Sequence, residues 1–168
     1  MKAIVVVDKN WGIGKDGGLL FSLKKDMQFF RKTTLGKVVC MGRNTLLSFP
    51  SSKPLPKRTN IVLTTKGIQS DGCVVVSSLD ELFKEIGKYD SEDVFVIGGA
   101  MLYRTMLDYV DSVLVTKVDE EGSADVFFEN LDENPNFELV YQSEPEDDNG
   151  FLITFNEYKN KNKKTYGE

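Results

Sequence analysis

Short, continuously apolar runs alternate with amphipathic segments over most of this chain. Ala3–Val7, Lys37–Met41, Asn60–Leu63, Cys73–Val76, Asp93–Ile97 and Ser112–Thr116 are rich in valine and isoleucine, the pattern of strands buried on both faces of a sheet. Leu23, Met27, Phe29 and Phe30 form an apolar arc opposite Lys24, Lys25, Gln28, Arg31 and Lys32. At about 100° per residue this predicts a helix from Leu23 to about Lys32, with Ser22 as its N-cap. Leu46, Leu47 and Phe49 suggest a short second helix. Ser78-Leu-Asp-Glu81 is a capping box that opens a third, running to Ile86 and stopping at Gly87, and Leu102, Tyr103, Met106 and Leu107 mark a fourth from about Ala100. This alternation predicts an α/β fold on a mostly parallel sheet.

The last third changes character. An acidic loop, Asp119 to Asp125, leads to Val126-Phe-Phe128, and Phe137–Gln142 and Phe151–Tyr158 flank Asp147-Asp-Asn-Gly150. Asn-Gly between apolar runs is a hairpin signal, so the sheet gains an antiparallel C-terminal edge. Lys159–Glu168 is polar and aperiodic, which predicts one domain over 1–158 and a frayed tail over 159–168. The 168 residues carry a net charge of −5 and a pI near 4.9, a balance that argues against nucleic acid as the main partner. Cys40 and Cys73 stand inside apolar runs and there is no histidine, so core thiols are expected and no metal site is. No run approaches the ~20 apolar residues of a membrane span, and the chain opens directly into a strand, which predicts a cytoplasmic protein with no membrane contact.

Two features carry candidate chemistry. Asp26 falls between Phe29 and Phe30 on the apolar arc, where a carboxylate costs several kcal/mol unless paired. It either meets a nearby arginine or lysine, or it awaits an amidine-like or amide ligand in a cleft; spacing alone leaves both open. The second feature is a pair of strand–glycine–helix turns, at Gly42-Arg-Asn-Thr45 and at Gly98-Gly99. A glycine before a helix N-terminus lets a phosphate reach unpaired amides, and equally serves close packing of helix on sheet. Arg43, Thr64, Thr65 and Lys66 would suit an adenosine 2′-phosphate, or form an ordinary solvated strand end.

Taken in order, Asp8, Gly12-Ile-Gly14, Asp26 with Phe30, Val39-Cys-Met-Gly-Arg-Asn-Thr45, Phe49, Pro54-Leu-Pro-Lys-Arg58-Thr-Asn-Ile, Val96-Ile-Gly-Gly-Ala100, Tyr103, Leu114-Val-Thr116, Asp125 and the terminal hairpin resemble the dihydrofolate reductase family over nearly the whole chain. The resemblance implies an eight-stranded, mostly parallel sheet with helices on both faces. It further implies NADPH-dependent reduction of 7,8-dihydrofolate to tetrahydrofolate, by hydride transfer to pterin C6 with protonation of N5. Asp26 would then bind and polarise the pterin, with Thr116 hydrogen-bonded behind it. Ile4, Val6, Met27, Phe30, Phe49 and Leu55 would line the substrate pocket, and Arg58 would hold the glutamate carboxylate. Ile13, Gly14 and the loop after them would cover the nicotinamide as a mobile lid, with Val6, Ile97 and Tyr103 beside it. Gly42, Arg43, Asn44 and Thr45, with Gly98, Gly99, Ala100, Met101 and Leu102, would cradle the phosphates. Leu63 would also contact the cofactor, and Arg43, Thr64, Thr65 and Lys66 would select NADPH over NADH. Antifolate inhibitors follow from the same resemblance, and a monomer is expected because no large apolar face is left over once the sheet is covered.

The sequence departs from the family pattern at Leu19-Leu20-Phe21, where Leu/Met-Pro-Trp is usual, and at Glu129, where proline is common. The first change removes a fixed φ and an indole N–H donor. Two rivals share the glycine turns: a riboflavin-pathway pyrimidine reductase, which needs no helix carboxylate, and a non-catalytic NADPH-binding relative.

Overall fold

The computed structural model describes residues 1–68 and 70–167. The valine-rich runs become β1 (Lys2–Val7), β3 (Val38–Gly42), β4 (Thr59–Leu63), β5 (Cys73–Val76), β6 (Val94–Gly98) and β7 (Ser112–Val118), all mutually parallel. Four helices are interspersed: α1 (Lys24–Thr34), α2 (Arg43–Ser48), α3 (Leu79–Ile86) and α4 (Ala100–Met106). A short strand β2 (Gly12–Gly14) pairs with β8 (Val126–Phe127) apart from the main sheet, and β9 (Phe137–Gln142), β10 (Glu146–Asp148) and β11 (Phe151–Asn160) complete the C-terminal edge. The order is β5-β4-β3-β6-β1-β7-β11, with β10 and β9 lying one after the other along the far side of β11. Nine strands thus fill eight positions, and the last joins are antiparallel.

Alternation along each strand sends side chains to two faces. Ala3, Val5 and Val7 join Cys40, Ile61, Val96, Val113 and Val115 on one face, roofed by Leu82 and Ile86 of α3 and Leu102 and Met106 of α4 in one continuous core. The other face is divided. Val39, Met41, Leu46 and Val62 gather under α2 with Phe49, Leu55 and Ile97, while Leu23, Val118 and Ile153 gather by α1 with Val6, Phe21 and Phe155. Ile4 is buried but belongs to neither group. The break between the groups is a cleft between α1 and α2, floored by β1.

Four expectations are corrected. Ser22 does not cap α1: Leu23 stands at the N-cap with no side-chain bond, and the helix runs two residues beyond Lys32, to Thr34. Its first turn is closed instead from the hairpin, where Asp148 Oδ2 accepts the Asp26 N–H at 3.1 Å, and Asn149 Nδ2 donates to the Ser22 carbonyl at 3.0 Å. The hairpin's first arm is Glu146–Asp148 rather than Phe137–Gln142. The turn itself is as the Asn-Gly signal requires, with Asn149 and Gly150 both at positive φ (54° and 87°).

The glycine loop at 12–14 is a strand. Gly12 donates to Asp8 Oδ1 at 2.7 Å, and a Cβ there would stand 2.4 Å from that of Ala124, so only glycine lets β2 approach β8. Nor is the tail frayed. β11 continues to Asn160, whose buried amide donates to Val110 O at 3.0 Å, and Lys161 N–H bonds Asn136 O at 2.7 Å. Tyr166 then stacks on Phe83 with ring centroids 4.1 Å apart. Glu168, the end of the predicted tail, lies outside the described residues. By contrast α3 begins as read, with Ser78 Oγ accepting the Glu81 N–H at 3.1 Å, although the Glu81 carboxylate reaches back to Ser77 rather than to Ser78.

Candidate active site

Asp26 points into the cleft from the first turn of α1, toward the strand that carries Thr116. Val6 and Thr116 are register partners on β1 and β7, so a hydroxyl stands on the cleft floor, where an apolar residue would otherwise be expected. Thr116 Oγ1 donates to Asp26 Oδ1 at 2.6 Å. Among the described residues Asp26 makes no ion pair. Burial raises its pKa above the ordinary 3.8; the Thr116 bond opposes this, and the negative charge of Asp148 adds to it. A half-buried acid with one oxygen held and the other open toward an apolar cleft is suited to a planar ligand that offers two N–H donors.

Ile4 and Val6 form the floor beside it, and Phe49, Leu55 and Ile97 form the wall under α2. Phe30 is half-buried, and Met27 is 64 % exposed at the rim rather than within the apolar arc's core. Arg58 stands farther along this cleft, its Nε donating to Thr34 Oγ1 at 3.1 Å and one Nη to Pro56 O at 3.1 Å. Partial burial lowers its pKa, and the neighbouring Arg31 guanidinium lowers it further. Neither arginine has an acidic partner among the described residues. Two neighbouring guanidiniums without an acidic partner among the described residues are suited to an anion, and the polar-face reading of Arg31 did not bring it beside Arg58. Sequence pattern alone offered no signal, because the two residues come together only when α1 packs beside the loop before β4.

Strand order explains why separate glycine turns belong together. β3 lies between β6 and β4, with Met41 opposite Gly98 and Gly42 opposite Leu63. The ends at Gly98-Gly99, at Gly42 and at Thr64 therefore stand in a row at the carboxyl edge of the sheet. A Cβ on Gly98, whose φ is +130°, would meet Thr45 Oγ1 at 3.4 Å and Tyr103 Oη at 3.5 Å, so the backbone there is bare. Neither Gly42 nor Gly99 gives its helix a side-chain cap, so the first-turn amides over Arg43–Thr45 and Ala100–Leu102 lack side-chain partners. Arg43 Nε is buried without a hydrogen-bond partner, an orphaned donor that a phosphate would satisfy.

Of the remaining residues in that row, Asn44, Thr65 and Lys66 are exposed, and Thr64 Oγ1 accepts the Lys66 N–H at 3.0 Å. Leu102 turns its side chain into the opposite core and Met101 is 77 % exposed, which leaves their backbones for the site. Leu63 packs against that same core. Tyr103 donates to the Ile4 carbonyl at 2.7 Å, tying α4 to the cleft floor; its burial, and then the charge of Asp26, push its pKa up. Ile13 and Gly14 lie on β2, held by the Asp125 N–H to Gly14 O bond at 2.9 Å and by Asp16 N–H to Asp125 at 3.0 Å. At the departure from the family pattern, Phe21 packs edge-on against Phe151 at 4.9 Å, pinning the end of this segment to the hairpin. A separate cavity of about 380 Å³, bounded by Val7, Trp11, Lys117 and Asp132, lies on the first face and holds none of the predicted site residues.

The family described as "Dihydrofolate reductase" matches residues 1–160. A dihydrofolate reductase from Bacillus subtilis (strain 168) is 37 % identical over 98 % of this chain and 96 % of its own, and one from Schistosoma mansoni is 34 % identical over 92 % and 93 %. Among solved structures, a dihydrofolate reductase from Enterococcus faecalis complexed with NADP(H) and RAB-propyl is 29 % identical, with a TM-score of 0.84 over 95 % of each chain.

Proposed function

The chain belongs to the dihydrofolate reductase family and is an NADPH-dependent enzyme reducing 7,8-dihydrofolate to tetrahydrofolate; on that premise we propose how its own residues do this. Asp26 receives the pterin. Its Oδ1 is held by Thr116, so Oδ2 is free to accept N–H donors from the 2-amino and N3 edge of the ring. The negative charge placed against that edge stabilises the positive charge that builds on the ring as N5 gains its proton, taken from water. Ile4, Val6, Phe30, Phe49 and Leu55 exclude bulk water from the ring's flat sides, which strengthens the interaction. Arg58, with Arg31 beside it, holds the glutamate carboxylate of the substrate.

The residues present fit NADPH, since the buried Arg43 Nε lacks a partner and two helix N-termini lack side-chain caps. Arg43 to Thr45 and Ala100 to Leu102 would hold its phosphates through main-chain amides, with Arg43, Thr64, Thr65 and Lys66 at the adenosine end. When bound, NADPH supplies the hydride that pterin C6 accepts. Ile13 and Gly14 on β2 would cover the nicotinamide side, and Tyr103 keeps α4 registered on the cleft floor. An antifolate with an amidine-like edge would compete for the same Asp26 oxygen. In the same reading the protein is a cytoplasmic monomer, for which the unpaired thiols of Cys40 and Cys73 speak.

One observation carries this reading: Asp26, oriented by Thr116 in an apolar cleft, has no ion-pair partner among the described residues. The test is NADPH consumption, followed by absorbance, in the presence of dihydrofolate. Asp26→Asn should fold and bind NADPH as before yet turn over about 10²-fold or more slowly at neutral pH. Near-normal turnover would make the carboxylate structural, and no consumption by the wild type despite tight NADPH binding would favour the non-catalytic rival.

A further inference from the structure

Asp148 is a second carboxylate at the active site, and the mechanism above gives it no part. It sits on β10, one residue before the Asn149-Gly150 turn, and is only 2 % exposed. A buried carboxylate in a hairpin needs a reason, and its side-chain hydrogen bond supplies it: Oδ2 accepts the backbone N–H of Asp26 itself. That amide belongs to the first turn of α1, which has no side-chain cap of its own. Unpaired amides and the positive end of the helix dipole favour a negative charge at this point. The contact is reinforced on both sides. Asn149 holds the Ser22 carbonyl, Lys25 Nζ donates to Asp147 O at 2.7 Å, and Phe21 packs on Phe151.

The charges around Asp26 leave Asp148 with a second effect. From β7, Asp26 faces the neutral Thr116 hydroxyl; from α4, the phenol of Tyr103, which is engaged by Ile4 O; from β1 and β11, the apolar Ile4, Val6 and Phe155. Lys25, on the same helix, is turned away toward Asp147 O and the Glu146 carboxylate at 3.6 Å. Lys117, also on β7, points to the opposite face and is paired with Asp132 at 3.2 Å. Among the described residues the charged group that acts on Asp26, after burial and the Thr116 bond, is therefore Asp148, and it is of like sign. A like charge beside a half-buried carboxyl disfavours its ionised form.

We propose that Asp148 is a positioning residue for Asp26: it fixes the first turn of α1 at the Asp26 amide and so holds a second carboxylate beside the one that receives the pterin. The hairpin tip thus fixes the place of the pterin-binding acid and adds to the effect of burial on it, through a contact 122 residues apart in sequence. The proposal deepens the reading of Asp26 as the pterin's partner and rests on it for its kinetic consequence.

Asp148→Asn and Asp148→Ser separate the two effects, because both remove the charge, and only asparagine keeps a side-chain oxygen long enough for the amide. The Asp26 carboxyl is titrated by carbon-13 NMR in the ligand-free protein, its signal assigned by its loss in Asp26→Asn, and kcat/KM for dihydrofolate is measured against pH. In both variants the Asp26 midpoint should fall, and the acid limb of kcat/KM, on which the Asp26 charge against the pterin is lost, should move the same way by the same amount. A merely structural cap would leave both profiles in place. An unchanged Asp26 midpoint in either folded variant overturns the proposal. Should the wild type show no reaction with dihydrofolate, the reading of the reaction fails while the ligand-free titration still decides the role of Asp148.

Discussion

Thr116→Val gives the strictest test of how the cleft floor treats Asp26. The substitution nearly conserves volume and removes one donor from a residue only 2 % exposed, taking away the 2.6 Å bond to Asp26 Oδ1. A hydrogen bond to a charged acceptor contributes about 1.5–3 kcal/mol and one to a neutral acceptor about 0.5–1.5 kcal/mol. The difference, about 1–1.5 kcal/mol, corresponds to an upward move of about one pH unit in the Asp26 midpoint. Asp26 already has a folded-state pKa above the ordinary 3.8, chiefly from burial. For a carboxyl raised on folding, the folded state holds the proton more tightly than the unfolded chain. Its relative contribution to stability is therefore greatest below the unfolded value, declines as pH rises through the window up to the folded value, and stays flat above it.

The valine variant widens that window upward. Its loss of stability should be about 0.5–1.5 kcal/mol where Asp26 is protonated in both states, and about 1.5–3 kcal/mol where it is ionised in both. Urea unfolding at a series of pH values from acid to mildly alkaline measures this directly, with Thr116→Ser, which keeps the hydroxyl, expected to run parallel to the wild type. A valine penalty that does not change with pH, or that is larger on the acid side, would refute the claim that Thr116 stabilises the ionised form.

Arg58→Ala should raise KM about 10- to 100-fold for substrates bearing the glutamate and leave a pterin without it unaffected, as expected for a lost charge-assisted pair; Arg31→Ala, more exposed, should raise it no more than about fivefold. An unchanged KM for Arg58→Ala would remove that guanidinium from the site. Asn160→Ala should cost about 1–3 kcal/mol in urea unfolding, because the buried carbonyls of Leu107 and Val110 lose their donor, with kcat untouched. A neutral effect would show that the chain's end is not held as the packing indicates.

Much of this protein was legible from residues a few positions apart. The valine-rich runs became the six parallel strands because β-branched side chains alternating onto two covered faces leave little else to form, and Ser78, Gly87 and Asn149-Gly150 each act within a few residues of themselves. Asp26 as an acid on an apolar arc was visible in the same way, as were the separate glycine turns. What the local pattern could not contain was adjacency. Thr116 and Asp148 reach Asp26 across 90 and 122 residues, Arg31 meets Arg58, and Gly42 is flanked by Gly98 and Leu63 only through a strand order that doubles back through β6, β3 and β4. The same reason accounts for the misread cap, hairpin arm and tail. A helix end, an edge strand or a polar segment takes whichever partner packing brings to it, and Asp148, β10 and the Asn136–Lys161 contact come from far along the chain. Periodicity determined the elements and their faces. Burial of those faces against one another decided which charges meet.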